Sequence, residues 1–77
     1  MAELRLSELH INSEAIITQL KQHTPYNLAK LLGLGLVPGA LVKVHQVHPQ
    51  IIVSIEQTLI GLDQAMADLV HVCQVKY

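Results

Sequence analysis

The segment Ala29-Lys30-Leu31-Leu32-Gly33-Leu34-Gly35-Leu36-Val37-Pro38-Gly39 passes from helical to extended character within a few residues, and it constrains the rest of the chain. Leu28, Leu31 and Leu32 recur at helical spacing. Gly33 and Gly35 are residues that can take positive φ and so end a helix. Val37-Pro38-Gly39-Ala40 has the composition of a type II turn: Pro38 presets φ at the second position and Gly39 accepts the positive φ of the third. Gly35, Pro38 and Gly39 are therefore the expected structural turn residues. They aim the chain into Leu41-Val42-Lys43-Val44, where apolar and polar side chains alternate as in a half-buried strand.

The flanking sequence supplies short elements of the same kind. Leu6-Ser7-Glu8-Leu9 reads as a single capped turn, with Ser7 placed to accept a backbone N–H and with Leu6 and Leu9 closing one end of a core. Glu14 to Lys21 is rich in β-branched residues and bounded by Asn12-Ser13 and His23-Thr24-Pro25, which predicts a strand. Thr24 is an N-cap with Pro25 at the first helical position, and Tyr26 to Leu34 carries the leucine stripe. Leu41 to Val47 and Gln50 to Ile55 form an antiparallel hairpin about His48-Pro49, and Thr58 to Leu62 is a further strand. Asp63 caps a turn or two of helix from Gln64, and Val70 to Val75 alternates again as the last strand. Five short strands with two small helical insertions predict a mainly β domain, a small, partly open barrel of the SH3-like kind. An OB-like barrel is the alternative that pattern alone leaves open.

A chain of 77 residues makes one domain, 1–77. At that size folding buries only about 60% of the surface the unfolded chain exposes, so the stability margin is thin. The composition is 51% hydrophobic with two tyrosines as the only aromatics, so the core is aliphatic and some aliphatic surface is expected to stay exposed for a partner. A formal net charge of -1 and a pI near 6.5 provide no basic stripe, and there is no aromatic stacking platform, so nucleic-acid binding is not expected. Cys73 is the single cysteine, and Met1 to Arg5 lacks the charged start and apolar run of a signal peptide, which predicts a cytoplasmic setting. Charged residues, Gly or Pro interrupt each apolar run before it could span a bilayer, so direct membrane insertion is not expected.

The combination Leu31-Leu32-x-Leu34-Gly35-Leu36-Val37-Pro38-Gly39-x-x-Val42-x-Val44, followed by Ile51-x-Val53, Leu62, Ala65 and Val70-x-Val72, resembles the ferrous iron transport protein A (FeoA) family. The likeness runs from about Leu6 to Val72. The same pattern occurs in the C-terminal SH3-like domain of diphtheria-toxin-repressor-type metalloregulators, but no helix-turn-helix stands in front of it here. The resemblance implies an SH3-like fold and a cytoplasmic accessory role in ferrous iron uptake. The implied partner is the membrane ferrous iron transporter with its cytosolic GTPase domain, and a second copy of the chain is the other candidate partner. The alternative function is that of a metal-sensing or peptide-binding SH3-like domain of a metal-dependent regulator. Three positions depart from the family pattern: Gly33 replaces a polar helix former, Ile11-Asn12 replaces a Pro-Gly turn, and the His48-Pro49-Gln50 loop is short. Gly33 weakens the helix end by about 1 kcal/mol relative to Ala, whereas Asn12 suits a turn because Asn visits the left-handed region readily.

No phosphate-binding loop or nucleophile motif is present, since Gly33-Leu34-Gly35 lacks a Gly-Lys-Ser/Thr ending, and the chain reads as a non-enzyme without a cofactor. Imidazole and thiolate both bind Fe(II) or Zn(II), which makes His71 with Cys73, two apart on one strand, and His45 with His48, three apart, the candidate metal ligands. Two ligands do not make a tight site, so any such binding is expected to be weak. The candidate protein-binding residues are Leu34, Leu36 and Val37 at the turn and Leu59 and Ile60 on the following strand, because consecutive apolar residues at a turn cannot all be buried.

Overall fold

A computed structural model describes residues 3–21 and 24–76. Its elements are β1 (Leu4–Arg5), a 3-10 turn (Leu6–Glu8), β2 (Glu14–Leu20), α1 (Pro25–Gly33), β3 (Leu41–Gln46), β4 (Ile51–Ile55), β5 (Thr58–Leu62), α2 (Gln64–Ala67) and β6 (Val70–Gln74). The strands form one antiparallel sheet in the order β1-β6-β2-β3-β4-β5, so among the described residues there are six strands and not five. The strand missed in the sequence is β1, whose two residues pair with Val72 and His71 of β6 and are too few to show alternation. The sheet curls around an aliphatic core without strict closure, which is the partly open SH3-like barrel.

Period-2 alternation builds that core. Ala15 and Ile17 of β2, Val42 and Val44 of β3, Val53 of β4, and Val70 and Val72 of β6 are all buried, while their sequence neighbours face outward. Leu6 and Leu9 close one end, as their spacing predicts. The Ser7 hydroxyl does not accept a backbone N–H; it donates to Asp68 Oδ1, and the turn is held by the Glu8 carboxylate accepting from the Arg5 backbone N–H at 2.8 Å.

Helix α1 begins as expected, with Thr24 Oγ1 accepting from the Asn27 N–H at 3.1 Å. It ends in a Schellman motif: the Leu36 N–H donates to the Leu31 carbonyl and the Gly35 N–H to the Leu32 carbonyl, both at 3.0 Å. Gly35 takes the required positive φ of 93°, while Gly33 keeps a helical conformation as the last residue of α1. The type II turn follows, with the Ala40 N–H donating to the Val37 carbonyl at 3.0 Å and Gly39 at φ 94°. Asn12 adopts φ 71°, in keeping with its place at a turn, and Asp63 caps α2 by accepting from the Met66 N–H at 2.8 Å. The His48-Pro49 peptide bond in the β3–β4 connection is cis. The β4–β5 turn is made by Glu56 and Gln57 at φ 50° and 75°, a primed hairpin turn without glycine.

Candidate functional site

The apolar residues around the helix-to-strand switch separate into two groups. Leu36 is fully buried, contrary to its expected place in a partner-facing patch. The Schellman motif explains this, because it folds the residue after the left-handed glycine back under the helix, where Leu36 and Leu31 join the same core. Ile60 is also core, since it alternates inward with Leu62 on β5. Leu34, Val37 and Leu59 are exposed. Leu34 and Val37 flank the end of α1, while Leu59 lies on the far edge of the sheet, so the five residues do not form one surface.

The outward face of the sheet carries a second apolar row. Ile16 on β2 stands opposite Leu41 on β3 and opposite Cys73 on β6, and all three point away from the buried layer of Ala15, Ile17, Val42 and Val72. The row is bordered on one side by the Glu14–Lys43 pair and on the other by the polar group of Thr18, Gln19, His71 and Glu3. Val37, in the turn leading to Leu41, is exposed as well. Sequence alternation could have shown this row: Ile16 and Leu41 are the apolar residues on the otherwise polar face of their strands.

The candidate metal ligands are separated. His71 and Cys73 share the outward face of β6 and both are half-buried. His71 Nδ1 lies 3.2 Å from Glu3 Oε1, a carboxylate that sequence spacing did not place there. Glu3 is engaged from several sides: the Thr18 hydroxyl donates to it at 2.6 Å, the Gln19 amide at 3.1 Å, and the Lys21 ammonium sits at 3.6 Å. The Thr18 hydroxyl, then the Gln19 amide, with Lys21 and His71 adding to them, holds the Glu3 carboxyl below the usual carboxylate range. Thr18 reaches Glu3 because a β-bulge between Ile17 and Gln19 turns it off the regular ladder. His45 sits at a second bulge and its Nε2 is 2.7 Å from Ser54 Oγ, while His48 lines a cavity of about 540 Å³ with His10, Leu9, Val47 and Ile51. Among the described residues no three His, Cys, Asp or Glu side chains converge as a ligand set. Among the described residues no helix is long and apolar enough to cross a membrane.

The profile of the FeoA domain matches residues 4–73. Among solved structures, an iron uptake regulatory protein (FeoA) is 26% identical with a TM-score of 0.88, over 96% of this chain and 100% of that chain. The iron(II) transport protein A of Clostridium thermocellum is 33% identical with a TM-score of 0.85, over 94% of this chain and 46% of that one. The IdeR protein of T. acidophilum is 25% identical with a TM-score of 0.91, and the present chain spans 35% of its length. A comparison with curated proteins returns no match.

Proposed function

The chain belongs to the FeoA domain family, and from that premise we propose that it is a non-catalytic accessory protein of ferrous iron uptake that binds the cytosolic GTPase portion of a membrane iron transporter. The observation that supports this reading is the outward apolar row Leu41–Ile16–Cys73. The solvated face of an antiparallel sheet ordinarily carries polar side chains, and a contiguous apolar stretch with a polar border is the usual signature of a protein interface. Its border fits a docking role, since Lys43, Glu14 and Glu3 supply a charged rim. An SH3-like groove for proline-rich peptides is normally lined by aromatic side chains, and this chain has two tyrosines alone, which disfavours that mode. The test is affinity capture from cells that express the transporter, with the wild-type chain and an Ile16→Gln, Leu41→Gln variant side by side. Co-purification of the membrane GTPase with the wild type and its loss from the variant is the expected result, and equal recovery would refute the assignment of this face.

A further inference from the structure

The far edge of the sheet is built for pairing, and we propose that β5 docks in antiparallel fashion on the β5 strand of a second copy, joining two sheets into one. Among the described residues β5 has no neighbour beyond β4's side. Edge strands are normally protected by charge, proline, a bulge or extreme shortness. Thr58-Leu59-Ile60-Gly61-Leu62 has no charge and no proline, and it pairs with β4 over all five residues without a register shift. Because the two-residue turn at Glu56–Gln57 closes on the pair Ile55–Thr58, the bonded positions facing β4 are Thr58, Ile60 and Leu62, and the backbone N–H and C=O groups of Leu59 and Gly61 point to the open edge.

The pattern of that edge selects its own copy. A two-fold axis through Ile60 sets Leu59 opposite the partner's Gly61 and Gly61 opposite the partner's Leu59, so both outward-pointing residues of each strand pair and four backbone hydrogen bonds form. In that register the exposed isobutyl group of Leu59, 65% accessible, crosses a residue with no side chain of its own. The Gln50 side chain overlies Gly61 in the single chain and is itself exposed, so it is the group that moves aside. Charges also agree: Asp63 meets the partner's Gln57, and Glu56 meets the partner's Gln64, so no like charges face one another. Shifting the axis to Gly61 places Leu59 against the partner's Asp63, and shifting it to Leu59 drives Gly61 against the partner's positive-φ Gln57, so each alternative loses one bonded pair.

Sedimentation equilibrium and amide exchange over a concentration series test the pairing. The expected mass rises from 8.5 kDa toward twice that value, and the amides of Leu59 and Gly61 gain protection while those of Thr58 and Ile60 are already protected at low concentration. Leu59→Lys charges the edge, and Leu59→Pro removes an N–H that β4 does not use; both weaken association about tenfold or more with the melting temperature checked alongside. A chain that remains at 8.5 kDa up to millimolar concentration, a dimer in which the Leu59 and Gly61 amides stay unprotected, or Leu59→Lys associating as the wild type does would each overturn the proposal.

Discussion

Ile16 and Leu41 face each other across the β2–β3 ladder on the solvent side, while the adjacent pair, Ala15 and Val42, is sealed in the core behind them. A strand position that alternation assigns to water is thus occupied by an aliphatic residue on both strands, and Cys73 continues the row on β6. Directly opposite apolar residues on a sheet cover part of each other's surface, and even so 36% of Ile16 and 46% of Leu41 stays exposed.

The two residues after Gly35 separate core from surface. Leu36→Gln places an amide in a fully buried aliphatic site, so the expected loss is about 2–5 kcal/mol, enough to unfold a domain with so thin a margin. Val37→Gln changes stability by about 0.5 kcal/mol or less, as is usual for an exposed site. Urea unfolding of both variants checks this, and similar midpoints for the two would contradict the burial difference.

Gly39→Val is expected to cost more than about 1 kcal/mol. The space around Gly39 is open, so no collision enters the account, and the cost arises from forcing a β-branched residue to φ 94°. Gly39→Asn, which tolerates the left-handed region, retains more of the stability than Gly39→Val. Equal melting temperatures for wild type and Gly39→Val would count against the turn.

Much of this architecture was legible because local chemistry and tertiary packing agree. Thr24-Pro25, Val37-Pro38-Gly39 and Asp63 mark boundaries through capping and turn stereochemistry that act within four residues. What was not legible depends on distant partners. β1 is a strand only because β6 lies beside it, and Glu3 meets His71 across 68 positions of sequence. Sequence alone says that the apolar residues at this turn cannot all be buried, without saying which of them is. The Schellman geometry decides which member is buried, and it selects Leu36 and leaves Leu34 and Val37 out.

Acid stability provides a check on the Glu3 cluster. The folded-state carboxyl titrates below its ordinary value of 4.5, chiefly through the Thr18 hydroxyl, so its ionised form favours the folded state. That contribution is present in full above the unfolded value and disappears as pH falls through the lower folded one. Glu8, bonded by the Arg5 backbone N–H, acts in the same direction. Glu3→Gln is therefore expected to be less stable than the wild type near neutral pH, with the gap closing below pH 4.5. A gap that does not vary with pH would show that the cluster acts without its charge.

Metal binding by this chain is expected to be weak and pH-sensitive, because imidazole and thiol must lose protons before they coordinate. His71 and Cys73 share a face and Glu3 stands beside His71, yet Thr18, Gln19 and Lys21 already engage that carboxylate and would have to be displaced. Anaerobic titration with Fe(II), alongside His71→Ala and Cys73→Ser, should show affinity weaker than about 1 μM, the level that corresponds to roughly 8 kcal/mol. A stoichiometric site tighter than that and abolished by either substitution would make the protein a metal carrier or sensor.

Calorimetric titration of the two purified components measures directly whether the Ile16–Leu41 face binds the transporter's cytosolic GTPase portion, as proposed. Saturable binding is expected from the wild type and from Leu59→Lys, whose change lies on the β5 edge two strands beyond Leu41, with affinity reduced about tenfold or more in folded Ile16→Gln, Leu41→Gln protein. Undiminished affinity in that variant, or the absence of any heat from the wild type at concentrations well above 100 μM, would contradict it.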